Sequence, residues 1–279
     1  MSVRTVTQRV TASSLIKPGE LVDVVELTPL HLTDRRTYNL LLGAAWDRIE
    51  EDTEHSISKR ELRTKNSKAN DRLDDSIGRL MGARVRVKIE RDGKEYIRSM
   101  SLLETVEEPV RSDGLVYYRF PRKLRELIAD SSIFARLHKD VMLHLTSKYS
   151  LALYEMIQKR GNLDHKTSEE FSVRELRELL GVPKDKLVQY KSFKQRALMP
   201  AIEEVHFLAN FGVDFQEARK GRAVTSITLT WRRKSQDEMR EVYSELRRPK
   251  VGRKVRIKEQ VSTIQARREE ILASLGRTG

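Results

Sequence analysis

At 279 residues the chain is long enough for two domains of ordinary size, and 38% hydrophobic content supports packed cores. Lys and Arg outnumber Asp and Glu by 54 to 41, and a net charge of +13 points to a polyanion, because each neutralised phosphate releases counterions. The absence of cysteine excludes disulfides, thiolate metal sites and a cysteine nucleophile. No run of about 18 apolar residues exists and the first residues lack the apolar core of a secretory signal, so a cytoplasmic protein with no membrane contact is expected.

Residues 1–20 read as a polar, irregular, flexible arm ending in Pro18-Gly19, and 21–30 as a strand or extended segment. Thr33 can cap a helix running to about Glu50, whose Tyr38, Leu42, Ala45 and Ile49 share one face. Ser58 and Glu61 stand at capping-box spacing, where hydroxyl and carboxylate satisfy each other's orphan amides. A basic loop with Arg63, Lys65 and Lys68 leads to an amphipathic helix over about 70–82. Leu73, Ile77, Leu80 and Met81 form its apolar stripe, and Arg72, Asp75, Ser76 and Arg79 its outer face. Over 83–89 the alternation predicts a strand with Val85, Val87 and Ile89 on one side and Arg84, Arg86 and Lys88 on the other. Asp92-Gly93 marks a hairpin turn, and 115–120 a further strand before Pro121 opens a helix carrying Leu124, Leu127 and Ile128.

The order then recurs. A helix over 146–160 stops at Gly161-Asn162, and FSVRELR at 171–177 repeats the S-x-R-E-L-R phrase of 58–63, again with the capping-box pair, Ser172 and Glu175. Another amphipathic helix spans about 190–208, and a hairpin turns at Arg219-Lys220-Gly221-Arg222. Helix, capped short helix, second helix and strand pair is the order of a winged helix. The expected fold is therefore α+β: two tandem winged-helix domains related by internal duplication, at 21–135 and 136–232. Residues 233–279 are expected to form a basic, charged tail with helical pieces. Arg247, Arg248, Lys250, Arg253, Lys254, Arg256 and Lys258 stand there without an acid between 247 and 258, suiting a flexible segment that touches DNA.

On the helix over 190–208, Phe193, Ala197, Leu198, Ala201, Val205 and Leu208 point inward. Ser192, Gln195, Arg196, Met199 and Glu203 point outward. Arg can fork onto guanine, Gln onto adenine, and a Met methyl can touch thymine. Tyr190, Lys191 and Lys194 cluster where phosphates would lie, and Pro200 predicts a kink. Arg219, Lys220 and Arg222 suit backbone contacts from the wing. The first domain's equivalent helix carries Asp71, Asp74 and Asp75, so its backbone contacts are expected from Arg63, Lys65, Lys68, Arg84, Arg86 and Lys88.

No catalytic signature is present. A G-x-x-x-x-G-K-[ST] phosphate loop is missing, and His31, His55, His138, His144, His165 and His206 form no metal-ligand spacing. Tyr117-Tyr118 lacks the paired histidines of a nicking site, and the carboxylates form no two-metal cluster. Neither enzyme activity, cofactor nor metal is expected.

The blocks ELTPLHLTDRRTYNLLLGAAWDRI, SISKRELR and DRLDDSIGRLMGARVRV, followed in order by LTSKYSLALYEMIQKRGN, FSVRELRELLGV and YKSFKQRALMPAIEEV, resemble the iteron-binding initiators of theta-replicating plasmids across roughly 21–232. The resemblance implies two winged-helix domains that bind double-stranded direct repeats at an origin as monomers. It further implies opening of AT-rich DNA and recruitment of the host replication initiator and replicative helicase. Dimers formed through the first domain would bind an inverted repeat and repress the protein's own gene. It carries Lys191, Ser192, Lys194, Gln195 and Arg196 over as positions of the recognition helix. The alternative is a winged-helix transcriptional regulator without a replication role. A rolling-circle nicking enzyme is disfavoured by the missing metal site.

Overall fold

The computed structural model describes residues 4–63, 70–110, 113–163 and 166–259. The chain opens with β1 (Ser14–Pro18), α1 (Gly19–Val22) and β2 (Val25–Glu26), followed by α2 (Leu32–Ala45), β3 (His55–Ser58), α3 (Lys59–Leu62) and α4 (Asn70–Met81). A long hairpin, β4 (Arg84–Arg91) and β5 (Lys94–Ser101), precedes β6 (Thr105–Glu107), β7 (Leu115–Arg119) and α5 (Arg122–Asp130). The second half runs β8 (Phe134–His138), α6 (Lys139–His144), α7 (Lys148–Gly161), β9 (Ser168–Ser172) and α8 (Val173–Leu179). It continues through α9 (Tyr190–Phe193), a π turn (Lys194–Leu198), α10 (Met199–Leu208), β10 (Phe211–Lys220), β11 (Ala223–Arg233) and α11 (Gln236–Arg247).

Two apolar cores result, one around α2, α4 and α5 and the other around α7, α8 and α10. Local patterning accounts for much of each. Val85 and Val87 are buried while Arg84, Arg86 and Lys88 are exposed, as alternation on a pleated strand requires. Ser58 and Ser172 each accept the amide three residues on, starting α3 and α8. The modules share element order but differ in sheet wiring. In the second, β9 joins the wing hairpin in the order β10-β11-β9. In the first, β3 pairs with β7, and the hairpin pairs with β2.

The first residues are not wholly an arm. β1 pairs antiparallel with β8, from Ser14 opposite His138 to Pro18 opposite Phe134, and all its residues are buried. Successive side chains enter opposite cores, Leu15 the second and Ile16 the first. The partner lies more than 100 residues downstream, which hides the strand from local reading.

A polar seam joins the modules. The Lys17 ammonium donates to Glu155 of α7 (2.9 Å), and the Asn39 amide of α2 donates to the other Glu155 oxygen (2.6 Å). Lys159 and Arg160 donate to Asp23 (2.7 and 2.9 Å), while Arg35, paired with Glu26 of its own module (2.7 Å), approaches Glu155 to 3.8 Å. Arg36 of α2 donates to the carbonyls of Met142, Leu143 and Leu145 at the end of α6. These carbonyls have no partner within their own helix, so the guanidinium caps α6 from the other module.

Three further expectations change. Thr33 is not the cap of α2: His31 precedes the helix, and its amide donates to Asp34 (2.8 Å). Ser76 and Arg79 do not face outward from α4. Buried Asp34 accepts from the Ser76 hydroxyl (2.7 Å) and from both Nε and Nη2 of Arg79 (2.9 and 2.7 Å), drawing the two inward. The charged stretch after Arg233 is packed as far as Glu259. Ser235 and Glu238 form a capping box on α11, and residues 253–259 are helical. Val242 and Ile257 are buried, and Arg253, 2% exposed, donates to Glu245 (2.9 Å). Arg256 also binds Glu245, and Lys250 binds the Leu143 carbonyl, so only part of the cationic run is left at the surface.

Candidate nucleic-acid interface

The continuous helical run 190–208 is held at its N-terminal end by side chains from α8 and the wing. Before it, α8 closes at Gly181, whose φ of +69° suits glycine, and its amide donates to the Glu178 carbonyl. Arg177 then donates to the carbonyls of Lys186 (2.7 Å) and Leu187, and its guanidinium lies 5.4 Å from the Phe193 ring centre. One side chain thus pins the inter-helix loop and touches the first buried residue of α9. Leu187, at φ +51°, is the bend that this pinning holds.

Within the run, Phe193, Ala197, Leu198, Ala201, Val205 and Leu208 are all buried, as the spacing predicts. Lys191, Gln195 and Arg196 are exposed, and Ser192 and Met199 half-buried. Pro200 has no amide for the Arg196 carbonyl four residues earlier. The backbone meets that constraint with the π turn at Lys194–Leu198, beneath the outward residues Gln195 and Arg196.

The wing rises beside this helix. β10 and β11 turn at Gly221 (φ +63°) and Arg222, with a register shift between Ala218 and Arg219. Arg219, Lys220 and Arg222 are exposed at the tip. Glu217, just below, gathers three groups: the Tyr190 hydroxyl donates to Oε1 (2.7 Å), the Lys194 ammonium to Oε1 (2.6 Å) and Arg219 to Oε2 (2.9 Å). Lys194 also lies 5.3 Å from the Phe215 ring centre. Burial pushes the Glu217 carboxyl up, but the hydrogen bonds from Lys194, Tyr190 and Arg219 outweigh it and hold it at about 2. Burial, with Glu217 alongside, raises the Tyr190 phenol well above its usual value.

In the first module Arg84, Arg86 and Lys88 line the exposed face of β4, and Arg63 follows α3. Lys65 and Lys68 lie outside the described residues. The carboxylates of α4 are partly spent internally: Lys59, itself buried, binds Asp74 (2.9 Å) and Glu108 (3.0 Å). The first-module face therefore carries a milder acidic field than its sequence suggests.

The sequence-expected residues of the second module thus gather on one helix–wing surface, with Tyr190, Lys194 and Arg219 already tied to Glu217. Arg177 and Glu217 themselves escape local reading. For Arg177 a signal existed, since it ends the S-x-R-E-L-R phrase that recurs in the chain. Exposed Arg174 and Lys184 add cations on α8 and the pinned loop, where Lys186 pairs with Asp185 (3.4 Å).

Among the described residues no helix is long and apolar enough to cross a membrane. No curated protein matches the chain. Residues 15–158 match the family described as Initiator Replication protein, WH1, beginning within β1 and ending in α7. Residues 172–231 match Initiator Rep protein, WH2, which spans α8, the recognition-type helix and the wing. With two winged-helix domains matched in order over most of its length, the chain belongs to the initiator Rep proteins, the DNA-binding initiators of plasmid replication.

Proposed function

We propose that the protein binds direct repeats at its plasmid origin as a monomer, with the helix 190–208 reading bases in the major groove. The observation that carries this reading is the exposure of Gln195 and Arg196 on a helix whose first turns are held by Arg177 and Glu217. A helix backbone held in that way needs no ordering on binding, so only the exposed side chains lose freedom on forming bidentate base contacts. Lys191, Ser192 and Met199 complete the face, and Lys220 and Arg222 meet phosphates from the wing. Arg63, Lys65, Lys68, Arg84, Arg86 and Lys88 of the first module grip the backbone nearby.

Bound to repeats, the protein helps open adjacent AT-rich DNA and brings in the host initiator and replicative helicase in the bacterial cytoplasm. A dimer formed through the first module binds an inverted repeat and represses its own gene. Supporting this, among the described residues β5 is an edge strand with exposed Tyr96 and Ile97, and such an edge can accept a strand from a second copy.

Footprinting the DNA that flanks the gene tests the proposal. Protection of direct repeats of about two helical turns beside an AT-rich stretch is expected, because a two-module reader spans about that length. Arg196→Ala should weaken specific binding by about 1–3 kcal/mol and relax one base position. Protection of a lone promoter palindrome, with nothing at repeats, would make the protein a simple regulator instead.

A further inference from the structure

We propose that Glu217 is a specificity-determining positioning residue, withholding Lys194 and Arg219 from indiscriminate phosphate binding and locking the wing onto the reading helix. This rests on the proposed DNA-facing role of that surface. Nonspecific binding to DNA comes almost wholly from cations neutralising phosphates, whereas base contacts carry discrimination. A surface that must choose among sequences gains from cations that cannot pair with every phosphate they meet.

The geometry fits that task. Lys194 and Arg219 stand on different elements, the π turn and the wing, and both end on one carboxylate at 2.6 and 2.9 Å. The Glu217 side chain is 12% exposed, so little water competes for it, while Lys194 and Arg219 are 33% and 60% exposed. Tyr190, at the start of α9, donates to the same oxygen as Lys194 and closes the triangle. Gln195 and Arg196 lie outside it and stay free to read. The carboxylate is ionised throughout the range in which a bacterial protein works, so substitution is the way to remove its charge.

Glu217→Gln tests the proposal in the full-length protein, because Gln still accepts from Tyr190 but no longer neutralises two cations. Binding to an origin repeat and to a scrambled duplex is measured across a salt series. Scrambled DNA should bind about threefold to tenfold tighter, with its salt slope steeper by up to about 1.8, two cations at about 0.9 each. The preference for the repeat should fall. Lys194→Met should change scrambled-DNA binding by less than about twofold in the wild-type background, yet cancel part of the gain beside Glu217→Gln.

A loss of equal factor on both DNAs with an unchanged slope would mean a merely structural role and overturn the proposal. So would the absence of any change. Arg196→Ala separates the two levels of inference: if it impairs repeat binding while Glu217→Gln leaves the slope alone, only the Glu217 role fails. If Arg196→Ala is also silent, the helix does not face DNA and both fail. Should Glu217→Gln not fold, Lys194→Met alone decides, and more than about threefold weaker scrambled-DNA binding overturns the proposal.

Discussion

The seam between the modules makes a sharp energetic prediction at Glu155. Its carboxylate, fully buried on α7, accepts from Lys17 at 2.9 Å and Asn39 at 2.6 Å, and Arg35 approaches to 3.8 Å. The Lys17 side chain is 5% exposed, so water cannot replace the lost partner in Glu155→Ala. Burial already pushes the Lys17 ammonium below its ordinary value, and Glu155 is the leading group opposing that. Stranding a buried cation costs about 3–5 kcal/mol. The orphaned Asn39 amide belongs to the same cluster, so its loss overlaps with that figure rather than adding to it. Urea unfolding followed by circular dichroism should show the loss as a lower midpoint. The double variant Lys17→Met, Glu155→Gln should recover most of the stability, since it removes the stranded charge and keeps an acceptor for Asn39. A cost under about 1 kcal/mol for Glu155→Ala, or a double variant no better than the single, refutes the argument.

Gly181→Ala should destabilise by at least about 1–2 kcal/mol, read as a lower thermal midpoint. Its φ is +69°, and a Cβ there would stand 2.7 Å from the Arg35 guanidinium and 2.9 Å from Glu26, so a neutral result refutes the strain. Hydrogen bonds from Arg232, aided by the Ser235 amide, outweigh desolvation and hold Glu238 at about 2. A carboxyl lowered on folding contributes stability that is present above its usual 4.5 and lost as pH falls toward 2. The stability gap between wild type and Glu238→Gln should therefore be constant above pH 4.5 and close toward pH 2; a gap that persists there is not due to the charge.

Wherever the controlling physics is local, the sequence is legible. Alternation at Val85 and Val87, the caps Ser58 and Ser172, and the inward face from Phe193 to Leu208 depend on pleat, helical pitch and neighbours three residues away. The candidate reading helix, with Gln195 and Arg196 outward, follows from the same periodicity. Pro200 also announces a backbone irregularity, although its form, a π turn rather than a simple kink, depends on packing.

What tertiary structure alone decides is which charges are free. Ser76 and Arg79 have the pattern of an outer face until Asp34, on another helix, captures them. Arg253 belongs to a run of solvated-looking cations until Glu245 and the α6–α11 corner bury it. Tyr190 and Lys194 have no visible partner in the sequence until the fold brings Glu217 to both, alongside Arg219 two residues further on. Long, charged side chains carry no periodic signal for their partners. Pleat and helical pitch, both local, make the two winged-helix modules and the outward helix face legible; that Arg79, Lys194 and Arg253 are each held by a carboxylate within 3 Å depends on packing that no local pattern encodes.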